Sequence, residues 1–311
     1  INIGPLQSGT AVSASTLYRL MFDEPMPERL VQTQSNEDAL IKLLADAIPV
    51  GQVLSSICLG GLIAFLGWAL FKGDRLWQPA YLDSKVLLRS LCDVAGSVMF
   101  VTSLTLIPLT TASAVIQATP LVVAMGAAIF LGQAVGWRRW LAIFVGFVGV
   151  LIIIRPGMEG FTPATLLAVG GMLGLAARDL FTRGLTVQLS GPQLATHTFA
   201  LVVPAGLALS ILQGQPFVMP DASQSLILLA AIMIGMIAYL AIVAATRGGN
   251  AGIISSFRYS RMIFALVIGY LMFAEIPDAA TLIGAAIIIA SGIYTLWRET
   301  RLRRASLNEN L

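Results

Sequence analysis

The chain has 311 residues, of which 57% are hydrophobic and only 11% are charged, and its mean hydropathy is +0.85. Soluble domains carry about 25% charged residues, so this composition excludes an ordinary water-soluble enzyme, a disordered protein and a disulfide scaffold. The net charge of +3 is small and the basic residues are scattered. We therefore expect no nucleic-acid partner and take the lipid bilayer as the surroundings of the chain.

The chain begins with an atypical polar segment, residues 1–37, in which no apolar run is long enough to cross a membrane. Residues 38–48 then predict about three helical turns, too few to span ~30 Å of hydrocarbon. A basic stretch followed by an apolar core, as in a signal peptide, is missing from the segment. We therefore predict a first membrane helix that is truncated or atypical, of which only the outer part is present.

Nine apolar segments follow, each interpreted as a membrane helix because backbone groups in lipid must be satisfied within their own segment. Turn residues such as Arg155-Pro156-Gly157 and Ile276-Pro277-Asp278 separate them. The predicted spans are 50–71, 87–108, 112–131, 139–154, 163–181, 193–212, 225–245, 251–273 and 279–297.

Basic residues concentrate in alternate loops and in the tail. Lys72, Arg75 and Lys85 lie in one such loop, whereas the opposite loops hold only Arg155. Positive charge marks the cytoplasmic side of a membrane protein. We therefore predict a multi-pass protein of the cell inner membrane, with residues 300–311 as a cytoplasmic basic tail.

Two parts of the chain resemble each other at a distance of about 142 residues. The apolar segment that ends in Leu-Gly-Gln133 matches the segment that ends in Phe-Ala-Glu275, and Gly149 falls near Gly292. The offset spans five helices, and an odd number inverts the second copy in the bilayer. Inverted repeats are typical of secondary transporters that bind their substrate near the midplane.

Several stretches together resemble the EamA branch of the drug/metabolite transporter superfamily, over residues 38–299. They are DALIKLL at 38–44, PVGQ at 49–52, ASAVIQATP at 112–120, LGQ at 131–133, GWRRWL at 136–141, RPG at 155–157, ARDLFTR at 177–183, FRYSR at 257–261 and SGIY at 291–294. The resemblance implies an all-α polytopic fold with two inverted five-helix halves, here 38–157 and 158–299. It also implies cytoplasmic termini and alternating access to a central cavity.

The chain departs from the family pattern in two places. The family usually has Glu at the position of Gln133, and it has an entire first span where residues 1–48 hold only its outer end. Because the family's first span helps to line the cavity, its loss would remove part of the transport path.

An arginine pair is the strongest candidate for substrate binding. Arg258 and Arg261 are three residues apart and thus near one helical face, inside a predicted span where a charge costs about 2.5–3.5 kcal/mol. Facing a cavity, they could hold an anionic or carboxylate-bearing substrate, and Tyr259 could stack on a planar group. The alternatives are snorkelling to headgroups and pairing with a structural acid.

Three further polar residues are candidates for the substrate site. Asp93 either pairs locally with Arg89, four residues before it, or serves as a proton-coupling carboxylate or counter-ion to Arg258. Gln117 precedes Pro120 in mid-span, which indicates either an open helix lining a cavity or a packed kink. Tyr239 either donates to a substrate or joins two helices.

These observations predict a secondary transporter for a small polar or amphipathic metabolite, of the kinds that family members carry, such as vitamin-like or amino-acid-like compounds. We expect no cofactor and no metal, and the sequence leaves a homodimer open. Because no catalytic constellation is recognisable, an enzyme is not expected. The alternatives are a non-transporting remnant that lacks its first span, and a scramblase or membrane enzyme.

Overall fold

The structure is a computed structural model that describes residues 27–72, 78–133, 135–158, 161–185, 189, 191–248, 259 and 261–309; the side chains of 27–33, 72, 191, 238–248, 299–300 and 302–309 also lie outside the described part. The described residues form eleven α-helices, one short 3-10 helix at Pro79–Leu82 and no strand. The helices are α1 (Pro27–Ala45), α2 (Val50–Lys72), α3 (Ser84–Leu106), α4 (Leu109–Ile116), α5 (Thr119–Phe130), α6 (Trp137–Ile154), α7 (Thr165–Arg183), α8 (Gly191–Leu212), α9 (Ala222–Gly248), α10 (Arg261–Phe273) and α11 (Ala279–Glu309).

The predicted all-α membrane fold is confirmed. Among the described residues, seven segments are long and apolar enough to cross a bilayer, counting α4 and α5 together. Shorter apolar stretches lie in α9 and α10. Large side chains such as Phe71, Phe130 and Leu212 are exposed on the outer surface of the bundle, where lipid rather than water is the matching solvent.

The first helix begins earlier than the sequence indicates. The helix expected at residues 38–48 begins at Pro27 and ends at Ala45. Its polar residues Ser35 and Asp38 are buried, because α1 packs against α9 and α10 inside the bundle. Polar side chains that find partners within the protein lower the hydropathy of the segment, so the apolar pattern alone does not show that the helix continues through Ser35 and Asp38. Whether the polar start replaces part of a longer span stays a prediction.

The predicted span at 112–131 is interrupted. The structure has two helices there, α4 and α5, separated by a turn at Gln117 and Ala118. Pro120 lies in the first turn of α5. Backbone N–H groups in the first turn have no partner within the helix, so a proline there costs no hydrogen bond. Seven residues of α4 are buried, Leu109 and Val115 among them, so this short helix lies in the core of the bundle.

The helices pair across the two halves of the chain. The most extensive contacts join α3 to α7, α2 to α8, α6 to α11 and α1 to α9. Small residues allow the close approaches: a Cβ on Gly174 would lie 2.6 Å from the Cα of Gly96, and a Cβ on Gly149 would lie 2.7 Å from the carbonyl oxygen of Gly284. Such contacts are typical of helix packing in membranes.

Matching backbone turns confirm the predicted repeat. Gly132 and Ala274, 142 positions apart, both have left-handed backbones, with φ of 64° and 50°. The next residue in each case donates its N–H six residues back, from Gln133 to Ala127 at 3.2 Å and from Glu275 to Gly269 at 3.0 Å. α5 and α10 therefore end in the same way.

Candidate substrate site

The turn between α4 and α5 lies in the interior of the bundle. Gln117 is only 4% exposed and Thr119 is 1% exposed. The hydroxyl of Thr119 donates to the carbonyl of Ile116 at 2.5 Å, so the side chain satisfies an acceptor that the broken helix leaves open. A polar break of this kind, deep in protein, is where transporter helices commonly face a substrate.

Gln117 links this break to its counterpart in the second half. Its side-chain amide donates to the backbone carbonyl of Tyr259 at 3.3 Å, across 142 positions of the chain. Gln117 lies two residues before α5, and Tyr259 lies in a turn two residues before α10. The two equivalent residues therefore meet at the boundary between the halves.

Arg261, the first residue of α10, pairs with Asp38 of α1. The guanidinium also lies over the ring of Phe100, 5.7 Å from its centroid, and the carbonyl of Arg261 accepts from the Ser35 hydroxyl at 3.2 Å. The Nε of Arg261 is buried and makes no hydrogen bond with another described residue. A charge in an apolar interior is tolerated when it is paired, and this pair joins the two halves.

Glu37 adds a second acid beside Asp38. Its carboxylate lies against Gly235 of α9, so that a Cβ at position 235 would be 2.6 Å from Oε1. The two acids thus connect α1 to both α9 and α10. We call the following residues the central polar cluster: Ser35, Glu37, Asp38, Phe100, Gln117, Tyr259 and Arg261.

Asp93 lies in a different network that joins α3 to α7. Its carboxylate is 3.5 Å from Arg89 and 3.1 Å from Arg178, and Arg178 also pairs with Asp179 at 2.8 Å. Arg89 donates further to Thr182 at 3.2 Å. Of the two interpretations of Asp93, the structure shows the local pair with Arg89 and adds a partner from the other half.

His197 makes structural contacts beside this network. Its Nδ1 lies 2.9 Å from the Ser90 hydroxyl, and its ring stacks on Tyr81 with 5.2 Å between centroids. Among the described residues, no three His, Cys, Asp or Glu side chains are grouped as metal ligands would be.

Two candidate residues cannot be placed. Arg258 and the side chain of Tyr239 lie outside the described residues. Of the six candidates, the structure brings together Gln117, Tyr259 and Arg261, while Asp93 lies apart from them in the α3–α7 network.

A crevice lies between Tyr259, the first half of α5 and the end of α7. Its polar lining includes Arg139, which is buried, together with Asp179 and Arg183 of α7. The other lining residues are Pro120, Leu121, Val123, Ala124, Gly292, Thr295 and Leu296. The crevice therefore borders the central polar cluster at Tyr259.

The sequence analysis did not select Glu37, Asp38 or Phe100 as site residues. Glu37 is the last residue of the segment described as polar and atypical, Asp38 is the first residue of the predicted short helix, and phenylalanine carries no polar signal. The usable signal was the pair of adjacent acids before the largely apolar residues 39–44, since charges there need a partner.

Residues 38–155 and 162–297 match the model of the EamA-like transporter family. The chain belongs to this family. The two matched regions correspond to the two halves that the repeat relates. Members of the family are multi-span membrane transporters.

Individual relatives carry transporter names. The S-adenosylmethionine uptake transporter of Rickettsia prowazekii is 26% identical over 86% of this chain and 90% of its own length. The riboflavin transporter of Vibrio cholerae is 28% identical over 70% of this chain and 73% of its own length. The pseudopaline exporter CntI of Pseudomonas aeruginosa is 27% identical over 84% of this chain and 91% of its own length.

A protein of known crystal structure shares the fold. It has a TM-score of 0.63 and 17% sequence identity, and the match covers 89% of this chain and 98% of the solved one. At that identity the likeness concerns the arrangement of helices alone.

Proposed function

We propose that this chain is a secondary carrier that moves a small polar or amphipathic organic metabolite across the membrane by alternating access about the central polar cluster. The observation that carries the proposal is that both halves supply this cluster: Asp38 of α1 and Phe100 of α3 come from the first half, and Arg261 of α10 comes from the second. A site shared by two inverted halves can face either side when the halves rock against each other.

The composition of the cluster suggests which substrates fit it. Arg261 is already paired with Asp38, so a substrate carboxylate would replace Asp38 at the guanidinium, while a substrate amine would find Asp38 and Glu37. Phe100 offers an apolar ring beside these charges. We therefore propose a zwitterionic or planar polar metabolite, and S-adenosylmethionine and riboflavin are the first compounds to test.

The test is uptake into proteoliposomes that contain the purified protein. We expect the unaltered protein to accumulate at least one compound from a panel of vitamins, amino acids, nucleosides and amines. Arg261→Gln should lower the initial rate about tenfold, the factor that ~1.4 kcal/mol of lost interaction corresponds to. Arg138→Gln is the matched control, because Arg138 is exposed beside Trp137, and it should retain the normal rate.

Three results would contradict the proposal. Folded, monodisperse protein that moves nothing from the panel would indicate a non-transporting bundle. Flipping of fluorescent lipid without solute uptake would indicate a scramblase. Equal rates for Arg261→Gln and Arg138→Gln would remove the central polar cluster from the transport path. The double variant Asp38→Asn with Arg261→Gln separates loss of binding from misfolding, because it leaves no unpaired charge from this pair.

A further inference from the structure

An ion pair closes one end of the bundle. Lys42, near the end of α1, places its Nζ 2.9 Å from Oε1 of Glu275, which follows α10. The same Nζ donates to the carbonyl of Ile107 at 2.9 Å, just before α4 begins. One ammonium group therefore ties the end of α1 to segments from both halves of the chain.

Glu275 also caps the start of α4. Its Oε1 accepts from the N–H of Leu109 at 2.8 Å, and its Oε2 accepts from the N–H of Thr110 at 3.0 Å and from its hydroxyl at 3.1 Å. A carboxylate at a helix N-terminus satisfies open N–H donors and interacts favourably with the helix dipole. We call Lys42, Ile107, Leu109, Thr110 and Glu275 the Lys42 latch.

The repeat places an equivalent position at the other end of the bundle. Glu275 corresponds to Gln133, since both follow a left-handed residue at the end of α10 and α5 respectively. Lys42 corresponds to Arg183: the pattern Asp38-x-x-x-Lys42 closes α1, and Asp179-x-x-x-Arg183 closes α7, with 141 positions between equivalent residues. A cation therefore stands at both equivalent positions, as Lys42 and Arg183. The acid Glu275, however, is matched by the neutral amide of Gln133.

The two ends differ in the structure as this replacement predicts. Lys42 and Glu275 are 17% and 11% exposed at their side chains, whereas Gln133 and Arg183 are both exposed. No hydrogen bond joins the side chains of Gln133 and Arg183, both of which lie among the described residues. Arg183 instead lines the crevice that leads to Tyr259.

We infer that the Lys42 latch holds the carrier closed at the end where α1 finishes, and that Gln133 deprives the opposite end of an equal latch. The carrier then rests open towards the end where α7 finishes, which the loop charges predict to be the cytoplasmic side. This inference rests on the proposed function, because it states which way the central polar cluster faces at rest. An ionic contact that forms in only one of the two states shifts the equilibrium between them by the free energy of that contact.

The test measures the access of a maleimide reagent to single cysteines and needs no substrate. Cys58→Ala with Cys92→Ala provides the background. Ser113→Cys places one reporter a turn inside the latch, on the buried face of α4, and Leu296→Cys places the other in the crevice. We expect the unlatched protein, Glu275→Gln or Lys42→Met, to label Ser113→Cys about fivefold faster and Leu296→Cys more slowly.

The reverse change should act in the reverse direction. Gln133→Glu should supply the missing acid, pair with Arg183 and slow the labelling of Leu296→Cys, and Arg183→Ala should abolish that effect. Asp46→Asn is the matched control, because it removes an exposed acid at the end of α1 that lies outside the latch, and labelling of both reporters should remain unchanged.

The inference is overturned if Ser113→Cys labels at the same rate with and without the latch in protein that remains monodisperse. It is also overturned if Gln133→Glu leaves Leu296→Cys as reactive as before. Glu275→Gln alters the cap of α4 as well as the ion pair, whereas Lys42→Met removes only the cation. The same change in labelling in both variants therefore assigns the effect to the ion pair. A protein that changes its labelling but moves no solute would sustain the latch while contradicting the proposed transport.

Discussion

Individual charged residues show how this chain tolerates polar groups inside an apolar bundle. Arg261 pairs with Asp38 at a distance of 223 positions along the chain, and Arg178 pairs with Asp93 at a distance of 85. Each acid thus meets a cation from the other half. Because a buried charge without a partner costs several kcal/mol or more, these pairs constrain which helices can lie together.

Glu275 should make the stability of the protein sensitive to acid. Burial raises the pKa of this carboxyl, but the hydrogen bond from Lys42, the N–H groups of Thr110 and Leu109 and the charge of Lys42 outweigh it, so the pKa lies below its ordinary value of 4.5. Stability from a lowered pKa is fully present above the unfolded value and is lost as pH falls through the folded one.

We therefore expect the melting temperature in detergent to fall more steeply for the unaltered protein than for Glu275→Gln once the pH is lowered below 4.5, the ordinary pKa of this carboxyl. The melting temperature is measured by tryptophan fluorescence during heating. Asp46→Asn, which alters an exposed acid nearby, should follow the unaltered protein. Parallel curves for the unaltered protein and Glu275→Gln would show that Glu275 contributes no pH-dependent stability.

At the scale of helices, the lipid-facing spans were predictable to within a few residues. The segment predicted at 193–212 is α8, Gly191–Leu212, and that predicted at 163–181 is α7, Thr165–Arg183. Hydropathy succeeds here because each helix exposes apolar side chains to hydrocarbon. It fails at α1 and at the α4–α5 break, which are surrounded by protein and satisfy their polar groups there.

Close helix contacts lead to a prediction about glycine. Gly174→Ala places a Cβ 2.6 Å from the Cα of Gly96, so α3 and α7 must separate, at a cost of about 1–3 kcal/mol. Gly67→Ala is the matched control, since its Cβ would meet nothing within 4 Å and alanine favours a helix interior by about 0.5–1 kcal/mol.

Thermal unfolding monitored by size exclusion should separate the two variants. Gly174→Ala should lose monodisperse protein at a lower temperature than the unaltered chain, and Gly67→Ala at the same or a higher one. If the two alanine variants were equally stable, the close approach of α3 and α7 would not contribute to the fold.

For the whole molecule, the orientation in the membrane is the property that loop charge predicts. The predicted spans place Lys72, Arg75 and Lys85, as well as Arg138 and Arg139, on the same side of the membrane as the basic tail. We expect a reporter fused after Leu311 to be cytoplasmic, because translocating this tail would carry its arginines across the membrane.

Paired fusions to a fluorescent protein and to alkaline phosphatase provide the measurement. A fusion in the loop at 213–221 is the internal control and should report the opposite side. A periplasmic signal from the C-terminal fusion would reverse the assignment of the two faces, and the latch would then close the cytoplasmic end.

The amino-acid sequence alone determined the medium, the nine apolar segments, the repeat and the family, because lipid imposes continuous apolar surface on every helix that faces it. Only the packed bundle shows the distant partners of Asp38, Asp93 and Lys42, the break at Gln117 and the burial of Ser35. Those contacts join residues up to 233 positions apart, and only the packed bundle brings such residues within hydrogen-bonding distance.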